Sequence, residues 1–198
     1  MKDGTIRAFV LLAVALLLPA CGTTSDNGVH VVFSDDFSAG ALGPAYTVDA
    51  GSVVIDGAAG NPLPSAQFPT GGPNTFRTTA TYKNRGLTFS VDLAVDTATG
   101  SATFAVEDEF SSWVVSAQMT NGQVTFSLNP DTVVTSFTWA AGEFHTISFE
   151  STKDGVMSWK LDGFPRLTAG AVWAPTQLRL SVSGADAHAD NFRVTTTP

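Results

Sequence analysis

Cysteine is nearly absent: Cys21 is the single one in 198 residues, which excludes both an intramolecular disulfide and a cysteine-based zinc site. Charge is also scarce, at 14% of residues, and no run of basic residues occurs. With 18 acidic residues against 10 basic ones and a formal net charge of −8, the chain would repel a phosphate backbone. Nucleic acid is therefore not expected as a partner, and the acidity reads as solubility. Helical spacing of apolar residues appears nowhere after the first twenty positions, so no helical domain is expected. Signatures of catalysis are missing as well. There is no Gly-x-Ser-x-Gly elbow, and His30, His145 and His188 lack metal-like spacing; His145 reads as structural and His188, within Ala185 to Asp190, as part of a flexible turn, so no catalytic residue is assigned.

What is present begins with a leader. Lys2 and Arg7 precede an unbroken apolar run from Ala8 to Leu18. Eleven residues rising about 1.5 Å each cannot span a hydrocarbon core of about 30 Å. A charged start, a short apolar run and small residues at its end describe a secretory signal peptide over residues 1–20. The segment Leu18-Pro19-Ala20-Cys21 resembles the lipobox of bacterial lipoproteins. In that family the cysteine is diacylated and becomes the new N-terminus, which implies anchoring of Cys21 in a lipid bilayer through its acyl chains. Two or three chains at about 0.8 kcal/mol per buried methylene anchor stably where one would not. The implied location is the bacterial cell envelope. Gly22 rather than Asp after the cysteine implies the outer membrane where the envelope is Gram-negative. Residues 21–28 then read as the lipidated cysteine and a polar, flexible tether.

Residues 29–198 are expected to form one β-sandwich domain, large enough to bury a core without disulfides. Leu87, Phe89, Val91, Leu93 and Val95 alternate with Thr88, Ser90, Asp92 and Ala94. Val115, Ala117 and Met119 continue the pattern beyond Trp113, and Val124, Phe126 and Leu128 follow Asn121-Gly122. A period of two over many segments means strands with one face in a core and the other in water. Asn121-Gly122, Asp154-Gly155 and Asp162-Gly163 are hairpin signals, since a type I′ turn needs positive φ at both central residues. About twelve strands are expected, closing as two antiparallel sheets or a barrel. The proline-rich stretch from Asn61 to Pro73 reads as one long loop.

A second resemblance follows from both ends of this domain. Ser34-Asp35-Asp36-Phe37-Ser38 and Val53-Val54-Ile55-Asp56-Gly57 resemble the opening of concanavalin A-like lectin/glucanase jelly rolls. Glu143 to Phe149, Lys153-Asp154-Gly155 and Trp159 to Gly163 resemble a laminin G-like hairpin, and Asp190-Asn191-Phe192-Arg193-Val194 is similar to the closing strand. The resemblance implies an all-β, antiparallel two-sheet jelly-roll sandwich. It does not imply an activity, because enzymes, lectins and adhesion modules share such folds.

Candidate sites can be weighed against that frame. Retaining glucanases of this superfamily carry Glu-x-Asp-x-Glu on one strand, so that alternate carboxylates share a face. Glu107-Asp108-Glu109 lacks that spacing and reads as a solvated strand end. Calcium takes six to eight oxygens. Related domains place a structural calcium between the chain ends, which points to Asp36 and Asp190 as its carboxylates. Trp113, Trp139 and Trp159 read as core, and Trp173 is a further aromatic available for stacking on a sugar. For a ligand-binding face, Arg77 and Tyr82 flank a Thr-rich segment, and Glu107, Ser116 and Gln118 would point away from the apolar row of Trp113. The expected function is binding of glycan or another envelope component by a lectin-like, non-catalytic domain. The alternatives are a glycan-cleaving hydrolase or lyase of the same fold, and a protein-binding adhesion module.

Overall fold

The computed structural model describes residues 28–197, apart from 109, 111–112, 121, 129–130, 137–138 and 171–175. Cys21 with its leader, Glu109, Asn121 and Trp173 lie outside the described residues. Alternation in the sequence becomes strands throughout, and no helix occurs among the described residues. In chain order the strands are β1 Val31–Asp35, β2 Tyr46–Ala50, β3 Val54–Asp56, β4 Ser65–Phe68, β5 Asn74–Thr78, β6 Tyr82–Lys83, β7 Leu87–Val95 and β8 Ser101–Glu107. They continue as β9 Val114–Thr120, β10 Gln123–Leu128, β11 Asp131–Ser136, β12 His145–Ser151, β13 Met157–Leu161, β14 Phe164–Ala169, β15 Gln177–Ala185 and β16 Ala187–Thr196.

The first sheet runs β14-β13-β12-β7-β16-β4-β3, with β1 also on β16. The second runs β11-β10-β9-β8-β15-β5-β2, with β6 on β15. Every pairing is antiparallel. This is the two-sheet jelly-roll sandwich that the sequence leads one to expect. Where about twelve strands are expected, the described residues form sixteen. Part of the excess is strands of two to four residues, β3, β4 and β6, which are too short to show a period. Strand β4 falls inside the stretch expected to be one long loop. Its Ala66 and Phe68 are fully buried, so a core-facing pair holds it despite the flanking prolines.

Between the sheets a chain of rings forms the core. Phe76 of the second sheet stacks on Phe68 of the first at 5.7 Å, and Phe192 meets Phe104 edge-on at 6.0 Å. Trp159 packs on Phe149 at 5.1 Å and on Phe104 at 5.7 Å. Its indole N–H also donates across the sandwich to the Ser127 carbonyl at 2.9 Å. Rings this large dominate core energetics, and truncating one costs about 3–5 kcal/mol. Trp113 and Trp159 are buried and Trp139 packs against the core, as their spacing predicts.

Of the hairpin signals, Asp162-Gly163 is met in full, whereas at Asp154-Gly155 only the glycine takes positive φ. Asp162 and Gly163 both take positive φ, 52° and 80°, and join β13 to β14. Gly100, between β7 and β8, has a different reason to be glycine. A Cβ there would stand 2.6 Å from the Asp186 carbonyl oxygen, so a larger residue would push the turn off the β15–β16 corner.

Candidate functional site

The outer face of the second sheet gathers four of the five residues expected to bind ligand. Register places Arg77 beside Ser181, Ser181 beside Ala105, Ala105 beside Ser116 and Ser116 beside Ser127. A parallel row runs Thr75, Ser183, Thr103, Gln118 and Thr125. Neighbouring strands lie about 4.8 Å apart, so these rows make a carpet of hydroxyl and amide groups. Each residue points outward for a local reason. Val115, Ala117 and Met119 are buried on β9, which turns Ser116 and Gln118 to the other side.

Glu107 stands on the same face, opposite Arg179 in the register and 3.7 Å from its guanidinium. Arg77 pairs with Asp49 at 3.0 Å. Glu107 is largely buried, so it is not the solvated strand end that the sequence suggests: β15 and the Arg179 side chain lie against it. At the described strand positions of this face, Asp49 and Glu107 are the carboxylates, and no aromatic ring is present. Arg179 escaped the sequence reading, although the alternation of Leu178, Leu180 and Val182 places it outward.

Tyr82 does not belong to this face. It is 8% exposed and packs against Phe33 and Phe89 in the core. Burial pushes its hydroxyl up to about 12. The Thr-rich neighbourhood suggested an exposed strand, but β6 is two residues long and carries its tyrosine inward.

The outer face of the first sheet is different in kind. Asp92 on β7 faces Asp190 on β16 in register, and both are buried. Asn191, at φ 48°, is the extra residue of a bulge. It turns Phe192 into the core and Arg193 outward. The Asn191 amide donates to Asp92 at 2.8 Å and to the Asn61 carbonyl. Thr146 donates its hydroxyl to Asp92 at 2.6 Å. Asp190 accepts the backbone N–H groups of Asn61 and Asn191. Burial raises the Asp190 carboxyl above its ordinary range, and the nearby Asp92 and Asp36 charges add to this. Asp36 is thus close enough for its charge to act on Asp190, and on this face it lines an open groove of about 790 Å³ with Ser34, Ser90, Asp92, Thr146 and Arg193 among others.

Among the described residues no group of three or more His, Cys, Asp or Glu is placed to hold a metal. Equally, no Lys, Arg or His of these residues stands within ion-pairing range of Asp92 or Asp190. The four oxygens of Asp92 and Asp190 already accept hydrogen bonds, so a calcium ion, which takes six to eight oxygens, would need further ligands from backbone carbonyls or water.

His188 is not in a flexible turn. It lies on β16 between two buried alanines, is 4% exposed, and sits between Ser65 at 2.9 Å and Asp96 at 3.1 Å. The three residue types match a hydrolytic triad, but the Ser65 side chain is fully buried, so no substrate reaches it. His145 is held by Asp162 at 3.0 Å, consistent with a structural role.

Fold and faces together define a jelly-roll sandwich whose second sheet turns a broad bed of polar groups outward. No protein-family model matches the sequence, and no curated protein matches it. Solved structures do match. A Crh5 transglycosylase superposes with TM-score 0.61 at 17% identity, over 83% of each chain. An endo-β-1,3-glucanase from Pyrococcus furiosus gives 0.63 at 8% identity, over 88% of this chain and 97% of the other. The carbohydrate-binding module CBM66 from Bacillus subtilis gives 0.53 at 12%, over 77% and 96%. At such identities the likeness establishes the fold. Most of the neighbours are named as glycan-cleaving or glycan-transferring enzymes, and CBM66 is named as a binding module.

Proposed function

We propose that the protein acts on glycan through the outer face of the second sheet, and that it does so by binding. The observation that carries this reading is the pairing of both strand carboxylates on that face, Asp49 with Arg77 and Glu107 with Arg179. A glycosidase needs one carboxyl held as an acid and a second about 5–9.5 Å away. Carboxylates locked to arginines on a bed of Ser, Thr and Gln suit hydrogen bonding to sugar hydroxyls instead. Without a stacking ring at these positions, the contacts are shallow and the affinity modest.

Cleavage is the second reading, and the names of the structural neighbours weigh toward it more than toward a binding module. Glu107, next but one to Glu109, is then the first carboxylate to change. A polysaccharide panel with residues 22–198 separates the readings. Retention without product supports binding. New reducing ends, or unsaturated ends, overturn it in favour of a hydrolase or a lyase. A blank panel points to a protein-binding adhesion module.

The same proposal includes export and anchoring: residues 1–20 as signal, Cys21 as the acylated residue, residues 21–28 as tether, and the outer membrane as destination in a Gram-negative cell. Cys21→Ser is expected to move the protein from the detergent phase to the aqueous phase, and unchanged partitioning removes the anchor. A structural calcium near Asp36 and Asp190 is also proposed. It would offset buried negative charge and tie the first strand to the last.

A further inference from the structure

The two ends of the sandwich differ in charge. The chain enters the domain at one of them, where the His30 N–H donates to the Thr196 hydroxyl at 2.8 Å and the Thr196 N–H to the His30 carbonyl at 2.9 Å. Beside this tie, the Thr197 N–H donates to the Gly86 carbonyl at 2.8 Å and the Gly86 N–H to the Ser151 carbonyl at 2.7 Å. These bonds draw the segment before β7 and the β12–β13 turn against the point of entry. Three basic residues stand there: Lys83 at the end of β6, Arg85 before β7 and Lys153 in the turn. All three are exposed, and none has an ion-pair partner among the described residues. The Lys153 stem lies over Gly86, where an added Cβ would stand 3.3 Å from its Cγ. Asp131 and Asp154 are the exposed carboxylates described at this end. At the opposite end the turns carry Asp96, Glu143, Asp162 and Asp186 and, among the described residues, no Lys or Arg.

We infer that the basic end docks on an anionic lipid surface, so that the domain stands on the bilayer with its acidic end turned away. The inference rests on the reading of Cys21 as the anchor. Residues 22–27 separate Cys21 from Gly28, and so short a segment reaches at most about 25 Å. The end that takes the tether is therefore the end the bilayer meets. A formal net charge of −8 would by itself oppose such contact, but distance decides the sign. Strand β7, nine residues long, separates the two ends by roughly 30 Å at about 3.4 Å per residue. The Debye length at physiological salt is about 8 Å, so the acidic turns are screened from a surface that Lys83, Arg85 and Lys153 touch. Each Lys or Arg near an anionic surface changes occupancy about fivefold, and three together about a hundredfold. With the strands standing on the membrane, the outer face of the second sheet looks sideways and stays open to a glycan.

The test uses the processed, acylated protein from cells expressing the full chain. It is reconstituted in vesicles of phosphatidylcholine, alone or with about 30% of the anionic lipid phosphatidylglycerol. An impermeant amine reagent, read by mass spectrometry, then reports Lys83, Lys153 and Lys160. Lys160 lies on β13 in an ion pair with Glu150 and serves as the reference. Relative to it, Lys83 and Lys153 are expected to react about tenfold more slowly on anionic than on neutral vesicles. The difference should vanish at about 1 M salt, where the Debye length is about 3 Å. Arg85→Glu, at an exposed position and touching neither reporter's amine, should remove most of the protection. Flotation of the vesicles reports the anchor separately. Protein that floats with both compositions yet reacts equally at the lysines keeps the anchor and overturns the docking. Protection that survives Arg85→Glu or high salt overturns it as well. Protein that floats with anionic vesicles alone loses the anchor and keeps the docking, and protein that floats with neither loses both.

Discussion

The two outer faces of this sandwich are built by the same alternation and meet opposite fates. On the second sheet, the residues opposite the core are mostly Ser, Thr and Gln. Their hydrogen bonds can go to water or to a ligand, and the carboxylates of the face are paired with arginines. On the first sheet, alternation places Asp92 and Asp190 side by side, and the sequence covers them with a strap formed by residues 57–64, a bulge and Thr146. Buried charge must be satisfied by specific partners, so the Asp92–Asp190 part of this face is committed to structure, while the hydroxyl and amide rows of the other remain available for recognition. A polar residue opposite the core is thus evidence of function only after its partners have been counted.

Breaking the covered face should have the largest effect. Asp190→Ala leaves the N–H groups of Asn61 and Asn191 without acceptors, at about 1–3 kcal/mol for each buried group. A loss of about 3 kcal/mol is expected in urea denaturation. Ser116→Ala on the open face should change stability by less than about 0.5 kcal/mol. Equal losses from the two substitutions would erase the distinction between the faces.

The next effect in size belongs to the open face. The double change Ser116→Ala and Gln118→Ala removes two hydrogen-bonding groups from adjacent rows and should weaken polysaccharide retention about tenfold, or about 1.4 kcal/mol. The unfolding midpoint should stay put. Unaltered retention would move the ligand away from these rows.

Much of this contrast was legible in the sequence, and the illegible part has a physical cause. Period two placed Ser116 and Gln118 outward and Val115 and Met119 inward because β9 is long enough to display it. It placed the Glu107 side chain outward too, but not the guanidinium that closes over it, since Arg179 lies on a strand 72 positions later in the chain. Tyr82 was misread because a two-residue strand shows no period. His188 was misread because Asp186 and Asp190 on either side look like a turn, whereas the small alanines at 187 and 189 are what lets β16 pack closely. The end-to-end resemblance brought Asp36 near Asp190, but the pairing of Asp190 with Asp92 depends on register, which one strand's sequence does not contain.

A smaller effect is expected from calcium. If the ion binds the folded chain near Asp36 and Asp190 and ignores the unfolded one, a concentration ten times its dissociation constant adds about 1.4 kcal/mol. A thermal scan should then show a higher midpoint in calcium than in chelator, with the difference gone in Asp190→Ala. Coincident melting curves for the unaltered protein would leave the strap and bulge as the sole cover for these carboxylates.

The smallest effect is the pH slope of the covered face, and its sign is opposite to that of ordinary acid denaturation. Burial raises the Asp190 and Asp96 carboxyls above the ordinary aspartate value of 3.8, so the folded chain binds these protons more tightly than the unfolded chain. Their contribution is full below 3.8 and is lost as pH rises through the folded values. Asp36 works the other way: the Ser38 hydroxyl and N–H hold it below 3.8, so its contribution is lost only in stronger acid. Between neutrality and about pH 4.5 the raised pair therefore acts without this opposition. Acidification over that range should move the urea midpoint upward, modestly because two backbone N–H bonds hold the Asp190 shift back. Asp190→Asn should be less stable throughout and flatter in slope. A midpoint that falls from pH 7 to 4.5 would mean that Asp190 is stabilised as an ion, which is the behaviour a bound cation would impose.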